Sequence, residues 1–346
     1  MGSNQQDNAI LAAGTLVNGY QIVRELGRGA MSVVYLARQL DMDRPVALKI
    51  LSPELAQKDE YVSRFINEAR ATASLSHPNI VQAIDAGVAP GNIHYFCMEY
   101  VDGESLMQKI RQMGTIPPDS VRTWALQIAD ALNYGFQTRT FTHGDIKPEN
   151  ILINNKNQAK LADFGLAKVQ EHDFEGHELI LTPLYAAPEL IQRQHHKDDC
   201  RADIYAFGAT LYHALSGTPP FEGTLAQEVM DKQLHEPLEP LSQRNPDVPL
   251  AYSNLISKML EKDPDKRFSS WSDIIAALEK LEPKRIPTSS QAQIAEHRSK
   301  TSFRPSALPP AIPKRSYAVL FSTLFVLLLV SLVALSLGYI FGKLTH

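Results

Sequence analysis

The stretch His143-Gly144-Asp145-Ile146-Lys147-Pro148-Glu149-Asn150, with Asp163-Phe164-Gly165 behind it, decides how this chain is read. Asp145 offers a carboxylate that can orient a hydroxyl and accept its proton. Asn150 and Asp163 offer hard oxygen ligands of the kind Mg²⁺ takes. Lys147 offers a cation for charge developing on a transferring phosphoryl group. Ala187-Pro188-Glu189 lies further along. Outward on the N-terminal side, Val46-Ala47-Leu48-Lys49 reads as an apolar strand that ends in a lysine. Glu68 follows on a helix marked by Val62, Phe65, Ile66 and Ala69 at i, i+3, i+4, i+7. An ammonium held by a carboxylate can grip nucleotide phosphates; the plain alternative is two solvated charges. Further out, Gly27-Arg28-Gly29-Ala30-Met31-Ser32 lets backbone approach a phosphate closely, although two glycines in a loop equally suit a hairpin.

These segments sit in a regular frame. Runs 20–26, 33–38, 46–51 and 93–100 are β-prone, and the chain turns mainly helical after residue 105. Residues 120–138 place Val121, Trp124, Ala125, Ile128, Ala129 and Leu132 on one face. Residues 204–215 are apolar nearly all round and predict a buried central helix; 250–260 and 271–281 are amphipathic. A small sheet lobe followed by a helical lobe is an α+β pattern with a cleft between.

In their order and spacing these motifs resemble the protein kinase superfamily, its Ser/Thr branch, and most closely the bacterial transmembrane kinases. The resemblance spans 19–282 and implies a bilobal fold with an N-lobe at 19–98 and a C-lobe at 102–282. It implies ATP and Mg²⁺ as cofactors and transfer of the γ-phosphoryl to protein Ser/Thr hydroxyls. By position, Lys49 pairs with Glu68 and holds the α/β-phosphates, Asp145 is the catalytic carboxylate, Lys147 meets the γ-phosphate, and Asn150 and Asp163 hold Mg²⁺. Gly27, Gly29 and Ser32 cover the phosphates, Ser32 standing where a third glycine is usual. Met98 is the gatekeeper, Glu99 and Val101 present hinge backbone to adenine, and Leu26, Val34, Ala47 and Leu152 form the apolar walls. Thr182 reaches toward Asp145 and Lys147 beside the substrate site. Asp203 braces the catalytic loop and Glu189 pairs with Arg267, both structural roles. The alternative from another class is a pseudokinase-like membrane scaffold that binds nucleotide without transfer; the presence of Lys49, Asp145 and Asp163 argues against it.

The chain departs from this pattern in one linked way. Gly144 stands where many relatives have an arginine that receives a phosphate, and residues 165–181 contain no Ser, Thr or Tyr. Activity is therefore expected not to depend on activation-loop phosphorylation. Glu171, Asp173, Glu175 and Glu178 make that segment acidic, either to dock a basic partner or simply as solvated charge.

Charge and hydropathy organise the rest of the 346 residues. Residues 317–341 carry no charge over 25 positions, against the roughly 20 a helix needs to span a bilayer, and predict one C-terminal transmembrane helix. The linker 283–316 has six prolines and a net charge of +6, and the tail 342–346 adds +1 to a whole-chain −4, so residues 1–282 carry −11. The basic flank places everything before the span in the cytoplasm, so the chain is expected to be a single-pass protein of the cell (inner) membrane. The linker reads as an extended tether and residues 1–18 as a flexible, unpatterned N-terminus. Five residues beyond the span cannot form a sensor domain, so signals enter from the cytoplasm or the membrane, or the chain is a fragment. The acidic catalytic part favours protein substrates with basic segments and excludes a general nucleic-acid binder. Cys97 and Cys200 are too few for a disulfide scaffold.

Overall fold

The computed structural model of the protein describes residues 11–139, 142–163, 183–194 and 199–281. The expected linker, transmembrane helix and tail, the segment 164–182 with Thr182, and residues 1–10 lie outside the described residues. Among the described residues no helix is long and apolar enough to cross a membrane.

The N-terminal lobe is a six-stranded antiparallel sheet in the order β1-β2-β3-β4-β6-β5. Its strands are β1 (Leu16–Val17), β2 (Tyr20–Arg28), β3 (Ser32–Gln39), β4 (Arg44–Leu51), β5 (Ala83–Ala89) and β6 (Ile93–Glu99), with helix α1 (Asp59–Ala73) between β4 and β5. Side chains alternate across a strand, and the central strand β4 is buried on both faces. Val46, Leu48 and Ile50 enter one apolar cluster with Tyr20, Ile22, Tyr35, Tyr95 and Cys97. Ala47 and Leu51 enter a second with Phe65 and Ala69 of α1 and with Phe96 and Met98. Lys49 therefore projects on the α1 side. Asp59 and Glu60 occupy the first turn of α1, where the helix dipole favours negative charge.

The C-terminal lobe is helical and larger. A three-stranded sheet of β7 (Gly103–Ser105), β8 (Ile151–Asn154) and β9 (Ala159–Leu161) lies at its upper edge. The helices are α2 (Leu106–Met113), α3 (Pro118–Arg139), α4 (Pro188–Ile191), α5 (Arg201–Ser216), α6 (Ala226–His235), α7 (Leu241–Arg244), α8 (Leu250–Met259) and α9 (Trp271–Glu279). Ser105 and Gln108 close a capping box at α2, and Ser270 caps α9 through the Asp273 N–H. Helix α5 is the axis of this lobe, with every residue from Asp203 to Leu215 buried. Gly208 lets it lie against α8: a Cβ there would come within 2.8 Å of the Met259 Cβ. Arg122 on α3 donates to the carbonyls of Leu278 and Glu279 and satisfies the open end of α9.

The bilobal expectation matches this architecture, with three differences. Residues 16–17, read as part of an unpatterned terminus, pair with β2, and Val17 is buried in the sheet core. Strand β5 is weakly β-prone by composition and is held by its pairing with β6. The sheet β7–β8–β9 sits within a region read as helical, because strands of three or four residues leave no resolvable period.

Candidate functional site

The site lies where β4, α1, the β6 end and the β8–β9 hairpin meet. Lys49 Nζ is 2.5 Å from Glu68 Oε1 and 2.7 Å from Asp163 Oδ1. Two carboxylates thus share one ammonium. Burial works against the Lys49 charge, and the carboxylates outweigh it, so its pKa is raised. The Lys49 ammonium holds Asp163 below the usual carboxylate range, while burial pushes Glu68 up to about 7. Asp163 itself has φ +61°, a left-handed conformation uncommon outside glycine.

The apolar residues expected around adenine converge. Leu26, Val34, Ala47, Met98, Val101 and Leu152 share one cluster, which also contains Ala162 beside Asp163. Register places Ala47 opposite Met98 and Val34 opposite Lys49. Above them Gly27 and Gly29 flank the β2–β3 turn, closed by Gly29 N–H donating to Ser32 O at 2.9 Å. A Cβ at Gly27 would meet no heavy atom within 4 Å, and one at Gly29 only Ser32 O at 3.7 Å. The protein's own packing does not require these glycines, and the space they leave suits a phosphate.

The stretch 143–150 is braced by the first turn of α5. Asp203, in the first turn of α5, accepts the His143 N–H at 2.6 Å and the Gly144 N–H at 2.8 Å. Burial pushes the Asp203 carboxyl up, and these donors oppose that rise. Gly144 has φ +77°, which a side chain tolerates poorly. Asp145 Oδ2 lies 2.6 Å from Lys147 Nζ. Asn150 Nδ2 donates to Asp145 O and Oδ2 at 2.9 and 3.2 Å, so its amide nitrogen is engaged and its oxygen is the end suited to a cation. Glu189 and Arg267 form a bidentate pair at 2.7 and 2.8 Å, with Arg267 also bonded to three backbone carbonyls. Thr182 lies outside the described residues. No cluster of three or more His, Cys, Asp or Glu suited to a metal occurs among the described residues. Mg²⁺ bound through substrate phosphates needs only one or two protein carboxylates, so Asp163 with Asn150 fits it.

Two contributors were missed in the sequence. His143, fully buried, pairs its Nε2 with Ala162 O at 3.1 Å and accepts the Asp145 N–H on Nδ1, tying the stretch 143–150 to the strand that leads into Asp163. Its place at the head of the motif was the available signal. Lys160 on β9 reaches behind the hinge to Glu99 Oε1 at 2.6 Å, where the Gln82 N–H also donates. No spacing rule flags that pair, because 61 residues separate its members.

A protein kinase domain profile matches residues 20–279. A probable serine/threonine-protein kinase of Clostridium acetobutylicum is 35% identical over 265 residues, covering 76% of this chain and 40% of that protein. The serine/threonine-protein kinase PrkC of Bacillus subtilis is 36% identical over 259 residues, covering 74% and 39%. The chain thus spans about two fifths of the length of these curated relatives. The crystal structure of the Mycobacterium tuberculosis PknI kinase domain is similar at a TM-score of 0.61 and 32% identity, covering 79% of this chain and 99% of that one.

The backbone at Gly144 gives a direct test. Gly144→Ala should lower the unfolding free energy by about 1 kcal/mol and Gly144→Asn by less, since asparagine accepts left-handed backbone more readily. Denaturant titration measures both, and an alanine variant as stable as wild type would show that the turn does not need positive φ.

Proposed function

The chain belongs to the protein kinase domain family, and from that premise we propose that it is a membrane-anchored Ser/Thr protein kinase that transfers the γ-phosphoryl of Mg-ATP to protein hydroxyls. The observation that carries this reading is the shared ammonium of Lys49, held by Glu68 and Asp163 beside the Asp145–Lys147–Asn150 constellation. A nucleotide-binding scaffold has no need of the second half of that arrangement.

Each side chain has a task that follows from its surroundings. The Leu26–Ala47–Leu152 cluster takes the adenine ring, with Met98 behind it. Lys49, oriented by Glu68, meets the α/β-phosphates. Asp163 and Asn150 would hold Mg²⁺, which neutralises phosphate charge when bound. Asp145 orients the acceptor hydroxyl and takes its proton as the bond to phosphorus forms. Lys147 faces the charge on the transferring group. Positioning and electrostatics do most of the work in such a reaction. Lys147, two residues after Asp145, and the serine/threonine kinases among the relatives support a Ser/Thr acceptor. The acidic charge of residues 1–282 favours acceptors in basic segments.

Activation-loop phosphorylation is not required in this reading. Gly144 supplies no arginine to receive a phosphate, its N–H is held by Asp203, and the Lys49–Glu68 pair is closed in the unmodified chain. The uncharged run 317–341 and the basic linker before it support an anchor with the catalytic part on the cytoplasmic side.

Labelled Mg-ATP and a generic basic protein test the reaction: wild type should label the acceptor and Asp145→Asn should lose about two orders of magnitude or more. Equal labelling by both would mean that Asp145 is not the catalytic carboxylate. Phosphatase treatment should leave activity unchanged; a loss traced by mass spectrometry to a phosphate within 164–189 would overturn loop independence. Deleting residues 317–346 should release the protein from the membrane fraction, and a variant that stays in the pellet would count against the anchor.

A further inference from the structure

We infer that Gln233 positions the loop that receives the protein substrate, acting on acceptor binding and not on the nucleotide. The inference rests on the protein kinase reading above. Gln233 lies on α6, far along the chain from every motif, and is fully buried. Its Nε2 donates to Pro183 O at 3.1 Å and to Leu184 O at 3.0 Å. Its Oε1 accepts from the Tyr205 hydroxyl of α5. One amide thus uses both N–H bonds and its carbonyl inside the core, joining three elements.

This is an expensive way to fill a core position. A buried amide is tolerated only when its hydrogen bonds are made, and an apolar side chain of the same volume would need none. The arrangement gains direction in return. The two N–H bonds of a carboxamide diverge at a set angle, so both loop carbonyls must point at α6. That fixes the path of residues 183–185, which lead from the Thr182 position into Ala187-Pro188-Glu189. The far end of the same stretch is pinned separately, with the Tyr185 hydroxyl 2.8 Å from His213 Nδ1. Burial lowers His213 to about 4, so it is neutral at physiological pH and can accept that bond.

The amide is itself held in place. Lys262 Nζ donates to the backbone carbonyls of Gln233 at 2.6 Å and Lys232 at 3.2 Å, and sits 3.8 Å from the Phe221 ring centroid. A cation at a helix C-terminus stabilises it. The Tyr205 ring carries the Arg267 guanidinium 4.8 Å from its centroid, linking the network to the Glu189 pair. None of these groups belongs to the cluster around Met98 or to the Lys49–Glu68–Asp163 set. Among the described residues the Gln233 network and the nucleotide pocket share no side chain, so a change at Gln233 is expected to act on the loop first.

Steady-state kinetics on the full chain test the inference, with a generic basic protein as acceptor. Gln233→Met keeps the volume and removes the donors. It should raise the acceptor KM about fivefold or more while the Mg-ATP KM stays within about twofold. Tyr205→Phe removes only the hydroxyl and leaves both loop bonds, so its acceptor KM should rise clearly less than that of Gln233→Met. An acceptor KM unchanged in Gln233→Met, the two KM values rising together, or Tyr205→Phe matching Gln233→Met would each overturn the inference. If Gln233→Met does not fold, Gln233→Leu, which is of similar volume and also lacks the donors, decides by the same measurement. Failure of both to fold would make Gln233 a stability residue and end the proposal. A wild type that labels no protein removes the kinase reading and this inference together, whereas labelling with no shift at Gln233 removes only the latter.

Discussion

The site hangs on one buried carboxylate. Asp203 sits in the first turn of a helix that is itself buried, and it accepts the backbone N–H groups of His143 and Gly144. A carboxylate in that position is costly unless hydrogen-bonded, so the fold and the stretch 143–150 stabilise each other. His143 carries the constraint onward to Ala162, one residue from Asp163. Asn150 closes the stretch on itself through Asp145. The path of the stretch 143–150 is thus set by backbone hydrogen bonds anchored in the buried helix α5.

The upper half of the cleft is organised by strand pleat. Because β4 is buried on both faces, its odd and even positions serve different purposes. Val46, Leu48 and Ile50 build the outer sheet core; Ala47 and Lys49 face the cleft. Small Ala47 lies opposite Met98, and Lys49 lies one pleat further along. A one-residue slip of β4 against β3 and β6 would send Lys49 to the wrong face. The register that buries the core therefore also aims the lysine.

Gly144 joins a feature of the backbone to one of the sequence. Its positive φ is inherent to the turn that presents Asp145, and a glycine meets it at little cost. The same glycine leaves no side chain to receive a phosphate, in a chain whose residues 165–181 offer no hydroxyl to carry one. The stretch 143–150 is held by Asp203 of α5 on one side and, through His143, by Ala162 on the other.

Much of this was legible in the linear chain. Lys49, Asp145, Lys147, Asn150 and Asp163 were singled out by residue type and by the order of the motifs that carry them, and the structure brings Lys49 to Asp163 and Asp145 to Lys147 and Asn150. The strands β2, β3, β4 and β6 and the helices α1, α3, α5, α8 and α9 were readable because long elements repeat their apolar period. The rest was not. Strands β7, β8 and β9 are too short to show a period, and β5 exists because β6 pairs with it. Glu99–Lys160 and Gln233 with Pro183 and Leu184 join residues about fifty or more positions apart, where no local pattern operates. Alone, the sequence determined which chemical groups the protein has and which periods its elements follow, since both are local properties. Only the tertiary structure decided which of those groups share a proton donor, a carboxylate or an apolar wall, since that depends on distances closed by burial.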